Sequence, residues 1–282
     1  MKTFAVTGAT GTQGGALAHL LIDRGHHVRA LTRSVDSPAV QALRARGAEI
    51  AYADFTDAVS LEIAFKGTDS VFLMTTPFGT DTATEVRQGR TTVDAAARAG
   101  VEHVVFSSVA HADRETGVPH FDSKFQIERH LVASGLSWTI LGPAKFMDNF
   151  ATGYAARMLA AGDFALPLAA DRSIALICAA DIAGMAALAL TDPQRLAGKR
   201  IDIAGEETTS LAMADAFTAA IGHQVTFRST PPEESRAWGD DLYKMFRYFD
   251  TVGLDVDASG LRRAYPEVGW HTFADWLATR TW

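Results

Sequence analysis

A chain of 282 residues with one cysteine, Cys178, has no intramolecular disulfide to rely on. Cys178 itself reads as a buried, inert thiol, because free cysteine packs as a small hydrophobe. An excess of positive charge is lacking too. Twenty-six Lys and Arg stand against thirty-three Asp and Glu, a formal charge of −7. Without a basic run the chain has no footprint for direct nucleic-acid binding and no polybasic membrane tether. No apolar stretch approaches the roughly 20 residues that span a bilayer. The first apolar run, residues 4–6, is one strand long and meets a glycine turn at once, so no secretory signal reads there. Neither nucleic acid nor membrane is expected as a partner, and the cytoplasm is the expected location. No group of His, Cys, Asp and Glu has metal-ligand spacing, so no metal is expected. There is no internal repeat and no low-complexity tract.

What remains is an ordinary globular composition, 48% hydrophobic and 21% charged. Residues 1–141 alternate short β-rich runs (3–7, 27–32, 49–53, 70–75, 101–107 and 137–141) with helical spacing over 14–23, 38–46, 58–65, 83–99 and 123–134. Strands joined by single helices run parallel, and strands apolar throughout suit a sheet covered on both faces. The expected fold is α/β, a doubly wound Rossmann parallel sheet over residues 1–142. Beyond Pro143 the rhythm breaks. Residues 143–282 read as a smaller, mostly helical substrate-side region, partly interleaved with the main sheet. Helices are expected over 149–160, 180–190, 211–220 and 232–249, with short strands at 174–177, 200–204 and 225–228.

The run Val6-Thr7-Gly8-Ala9-Thr10-Gly11-Thr12-Gln13-Gly14 follows the first strand and opens the first helix. In that context three glycines have separate tasks: Gly8 for the tight turn, Gly11 for close approach of a pyrophosphate, Gly14 for helix–strand packing. The first-turn N–H groups, with Thr10, Thr12 and Gln13 around them, then face phosphate charge. The second strand ends in Thr32-Arg33-Ser34, without the acid that holds the ribose hydroxyls of NAD. Arg33 at that tip suits a 2′-phosphate, so NADP(H) is expected in preference to NAD(H). Asp54, after the third strand, could bond the adenine amino group or cap the next helix; both readings stand.

Two later runs, HVVFSSVAHAD (103–113) and VPHFDSKFQIERHLVASGLSWTILGPAKFMDNF (118–150), are more specific. Together with the GxxGxxG turn, His-x-x-x-Lys, Gly-Leu-x-Trp-Thr-Ile-Leu and Phe-Met-x-Asn resemble the NmrA-like branch of the atypical short-chain dehydrogenase/reductases over roughly residues 1–190. That resemblance implies that Gly8, Gly11 and Gly14 form the phosphate turn and that Arg33 meets the 2′-phosphate. It also implies that Thr75 and Thr76 run under the adenosine ribose and that Lys124 bonds the nicotinamide ribose. Pro143 to Phe146 would lie beside the nicotinamide, and Asn149 is the last residue of the Phe-x-x-Asn motif. Ser107 and Ser108 join the cofactor side. The family holds both NADP(H) sensors without known turnover and reductases of quinones, dyes and phenolic compounds.

Departures from the wider short-chain dehydrogenase pattern shape the functional expectation. The proton-donating Tyr is replaced by His120, and its Ser/Thr partner falls on Val109. An imidazole can pass a proton near neutrality, which makes His120 a candidate catalytic residue beside Lys124; a plain helix-start residue is the competing reading. His111 is a candidate for the mouth of the site, with Phe146, Asn149 and Trp238 on the substrate side. Trp238, Leu242, Met245 or Phe246, and Phe249 recur at helical spacing, as core or as a lid for a flat apolar substrate. Two functions follow: an NADPH-dependent reductase of a small apolar acceptor (quinone, enone or carbonyl), or a non-catalytic NADP(H) sensor that binds a regulatory partner protein. Monomer and homodimer are both open.

Overall fold

The structure, a computed structural model, describes residues 2–282. Its first half alternates without exception: β1 (Thr3–Val6), α1 (Thr12–Asp23), β2 (His27–Thr32), α2 (Pro38–Ala45), β3 (Glu49–Tyr52), α3 (Ala58–Phe65), β4 (Ser70–Met74), α4 (Thr82–Arg98), β5 (His103–Ser107), α5 (Pro119–Ala133) and β6 (Ser137–Pro143). Ser37, Asp57 and Asp81 cap α2, α3 and α4 by accepting from first-turn N–H groups. Then follow β7 (Lys145–Phe146), α6 (Gly153–Ala160), β8 (Asp163–Leu166), β9 (Ser173–Ile177), α7 (Ala179–Thr191), α8 (Pro193–Leu196), β10 (Lys199–Ile203), β11 (Glu206–Thr209), α9 (Ser210–Ile221), β12 (Thr226–Ser229), α10 (Asp240–Thr251), α11 (Ala258–Ala264) and α12 (Phe273–Ala278).

Seven parallel strands make the main sheet, in the order β10-β6-β5-β4-β1-β2-β3. The centres of β4 and β5, Val71 to Leu73 and Val104 to Phe106, are apolar and fully buried, as a sheet covered on both faces requires. One face packs against α3, α4 and α5 through Leu61, Phe65, Val93 and Ile127. On the other, α1 lies along α7, and the core continues into the C-terminal region. The strand order reverses between β1 and β4. The crevice above their carboxyl ends is where such sheets take ligands.

Three segments differ from the sequence reading. The helix expected over 232–249 is two pieces, a 3-10 turn (Pro232–Trp238) and α10, because Gly239 between them has φ +107°. Residues 149–160 divide likewise, into a 3-10 turn (Met147–Ala151) and α6, at Gly153 with φ +58°. α5 starts four residues before its expected position, at Pro119, since proline fits the first helical turn. The small sheets β12-β8 and β11-β9-β7 were legible only in part, their strands being four or five residues long or shorter.

Candidate active site

A cavity of about 970 Å³ opens at the carboxyl edge of β1 and β4 and runs beneath the C-terminal region. Its sheet end is lined by Thr12, Gln13, Thr75, Thr76, Ser108, His120 and Lys124, and its middle by Pro143, Phe146 and Asn149. The rest of the wall is largely apolar, with Met158, Phe164, Trp238, Leu242, Phe246 and Phe249, and also carries Lys145, Asp163, Arg228 and Glu234. Thus α10 forms a cavity wall. Phe78, Tyr154 and Trp238, 62%, 66% and 53% exposed, stand as an aromatic rim.

At the mouth, Gly8 sits at φ +60°, and a Cβ there would lie 2.8 Å from Met74 Sδ. A Cβ on Gly14 would lie 2.4 Å from the Gly8 carbonyl, so that position is closed to any side chain. Gly11 differs: its Cβ would meet only the Gly8 oxygen, at 3.4 Å, and otherwise point into open space. No side chain caps α1, and its first turn holds no acid. Unlike α2, α3 and α4, it keeps its N-terminal donors free for an anion. The cradle that a dinucleotide phosphate needs is therefore present, and Gly11 is the open place in it. Thr10 is exposed on the same turn, and Arg33 is exposed at the tip of β2.

Lys124 is held from three sides. Nζ donates to the carbonyl and, at 3.0 Å, to the hydroxyl of Thr75, and pairs with Glu85 at 2.8 Å. Burial lowers its pKa from the ordinary lysine value, while Glu85 and then Glu128 pull the other way. Glu85, on α4, is fully buried and also accepts from Thr75 and Ser123. His120 is 8% exposed and lies one helical turn before Lys124. Its Nδ1 contacts Asp241 of α10 at 2.5 Å, while Nε2 has no hydrogen-bond partner among the described residues. His120 is the second residue of α5, at the helix start as expected, but it is buried rather than on the surface. Behind them, Gln13 accepts from Ser107 at 2.6 Å, and Ser108 donates to Glu128, whose second oxygen takes Arg200 at 2.9 Å. Burial raises the pKa of Glu128, with Arg200 opposing.

Besides the glycines of the turn, five expected site residues do not line the cavity: Thr10, Arg33, Asp54, Ser107 and His111. His111, expected at the mouth, is fully buried outside the cavity, with Nδ1 3.0 Å from Tyr248 Oη and Nε2 2.9 Å from the Asp255 carbonyl. Its backbone lies at φ +65°, and its ring is held between Tyr248 and Asp255 instead of lining the cavity. Ser107 reaches the site only through Gln13. Asp54 Oδ1 accepts from the Thr56 N–H and hydroxyl, which lower its pKa, while Oδ2 has no hydrogen-bond partner among the described residues; Asp57, not Asp54, caps α3. Sequence reasoning missed Glu85, Asp241 and Lys145, since their partners are remote along the chain. It also gave no metal-ligand spacing. The fold nevertheless gathers Cys178, Asp181 and His271. Asp181 accepts from His271 Nδ1 at 2.6 Å, which ties α7 to the C-terminal segment, and burial pushes the Cys178 thiol up to about 12.

Residues 1–277 match the NmrA-like family. The chain belongs to that family. Among its NmrA-like relatives and neighbours is the NAD(P)H azoreductase of Xenophilus azovorans, 31% identical over 232 residues, covering 82% of this chain and 78% of that protein. The solved structure of the NADPH-dependent quinone oxidoreductase of Escherichia coli, complexed with NADPH, superposes with a TM-score of 0.83 at 25% identity, over 98% of this chain and 99% of the other. The triphenylmethane reductase of Citrobacter sp., complexed with NADP(H), shares the fold with a TM-score of 0.84 at 20% identity, over 98% of this chain and 99% of the other. Among the described residues no helix is long and apolar enough to cross a membrane.

Proposed function

We propose that this NmrA-like protein is an NADPH-dependent reductase of a small apolar acceptor, a quinone, enone or carbonyl compound. One observation carries the reading: a single cavity joins the uncapped start of α1 to His120 and Lys124 and continues into an aromatic, largely apolar chamber. A protein that only senses the nucleotide has no use for that chamber. The similarity to a quinone oxidoreductase and an azoreductase over most of the chain supports the same reading.

The first-turn N–H groups of α1 and the open face of Gly11 hold the pyrophosphate, and Arg33 receives the 2′-phosphate. Bound there, NADPH supplies the hydride. Lys124, fixed by Thr75 and Glu85, holds the nicotinamide ribose, while Pro143 and Phe146 flank the ring. Asp241 orients the imidazole of His120 through Nδ1 and leaves Nε2 for the acceptor, the division of labour of an orienting carboxylate and an acid–base histidine. As imidazolium, His120 gives its Nε2 proton to the oxygen that gains negative charge and keeps its bond to Asp241.

The test follows NADPH and NADH absorbance separately with a panel of quinones, enones and aldehydes. Protein-dependent oxidation of NADPH, faster than of NADH, is expected. His120→Ala lowers kcat for acceptors that need a proton by about 10²-fold, within the usual range for a lost general acid. Tight NADPH binding without turnover across the panel overturns the reductase reading.

A further inference from the structure

The mechanism leaves one cavity cation without a task. Lys145 forms part of the wall from β7, directly before Phe146, in the otherwise apolar run Pro143-Ala144-Lys145-Phe146-Met147. Its Nζ stands 5.3 Å from the ring centre of Phe150 and 5.6 Å from that of Phe246. Other cations on the wall are committed: Lys124 to Glu85, and Arg228 to Asp163 at 3.1 Å. Lys145 has no ion pair or hydrogen bond among the described residues. Burial alone draws its pKa down to about 8, with no acidic neighbour to lift it.

Lys145 is half-buried on the cavity wall, where an ammonium group is only partly hydrated and gains from anything that compensates its charge. Two aromatic faces supply part of that compensation. No carboxylate pairs with Nζ, although Asp163 and Glu234 stand elsewhere on the cavity wall, and packing alone would be better served by an apolar side chain at this position. We propose that Lys145 is a specificity-determining residue that receives an anionic substituent, a carboxylate or sulfonate, carried by a flat apolar acceptor. The acceptor's ring lies among Phe150, Phe246 and Phe249, and its acidic group meets Nζ. This narrows the substrate class of the proposed reductase to acidic aromatic acceptors, and it rests on the cavity being the acceptor site.

The test needs no turnover. The protein, saturated with NADP+, is titrated with 2-naphthoate and with 2-naphthamide, which share shape and differ in charge, and binding is read by calorimetry. Wild type is expected to favour naphthoate by about tenfold or more, equivalent to about 1.4 kcal/mol. Lys145→Met collapses that ratio toward one, and Lys145→Arg, which keeps the charge, retains most of it. Lys145→Gln stands in if the Met variant does not fold, judged by far-ultraviolet circular dichroism. Equal wild-type affinities, an unchanged ratio in the neutral variants, or no binding of either probe at millimolar concentration overturns the proposal. So does a loss of NADP+ affinity in Lys145→Met with the ratio intact, which assigns the cation to the nucleotide. Failure to oxidise NADPH with any acceptor removes the reductase reading and leaves this measurement standing.

Discussion

At the scale of single residues, the site depends on charges that the fold hides. Lys124 keeps its ammonium group in a buried place because Glu85 sits 2.8 Å away, and Glu85 is in turn held by Thr75 and Ser123. Removing one partner of such a pair leaves the other charge buried and uncompensated, which costs about 3–5 kcal/mol. Glu85→Gln is therefore expected to destabilise the fold by about that amount in urea unfolding, although Gln fills the same space. It should also weaken NADPH binding, because Lys124 loses its fixed position. A variant as stable as wild type would mean that Thr75 alone holds Lys124. Lys124 was legible from its spacing behind His120. Glu85 and Asp241 were not: an acidic residue on a helix normally reads as a solvated face, and Asp241 lies 121 residues from the histidine it meets.

At the scale of elements, the turn between β1 and α1 separates two jobs that the three-glycine pattern runs together. Gly14 is closed by backbone, with the Gly8 and Thr7 carbonyls 2.4 and 2.5 Å from an added Cβ, whereas Gly11 has room. Gly14→Ala must push strand and helix apart, and overpacking of this kind costs about 1–3 kcal/mol. Gly11→Ala is expected to melt near the wild-type temperature and to lose NADPH affinity, because its methyl group occupies the space that the phosphate needs. Thermal melts and nucleotide titration of both variants check the split; equal destabilisation of the two would refute it. The alternating strands and helices up to β6 were readable because strand-length apolar runs and helix-length segments follow one another regularly, and α2, α3 and α4 carry side-chain caps as well. The C-terminal elements were less so. Gly239 and Gly153 break helices that periodicity alone runs together, and a two-residue strand such as β7 has no period at all. The left-handed backbone of His111 has the same character, since a positive φ on a histidine leaves no mark in the surrounding sequence.

At the scale of the molecule, the C-terminal region is not an appendage. β10 returns to pair with β6, setting Ile201 beside Leu141, and α7 covers the face of α1 that carries Leu17 and Leu21. His120 on α5 and Asp241 on α10 close the same connection from above. One hydrophobic cluster runs from Phe4 and Leu17 through α7 to Phe217, Phe273 and Trp276. Two halves that share a sheet and a core lose both together, which is the condition for one cooperative transition. Urea unfolding followed by circular dichroism and by tryptophan fluorescence is expected to give coincident curves, with Trp138 reporting the sheet, and Trp270, just before α12, and Trp276, within it, reporting the C-terminal region. NADP+ should move both curves by the same amount, because a ligand held by α1 stabilises whatever unfolds with α1. If the fluorescence curve separates and precedes the other, the C-terminal region melts on its own, and the cavity it covers opens without loss of the sheet.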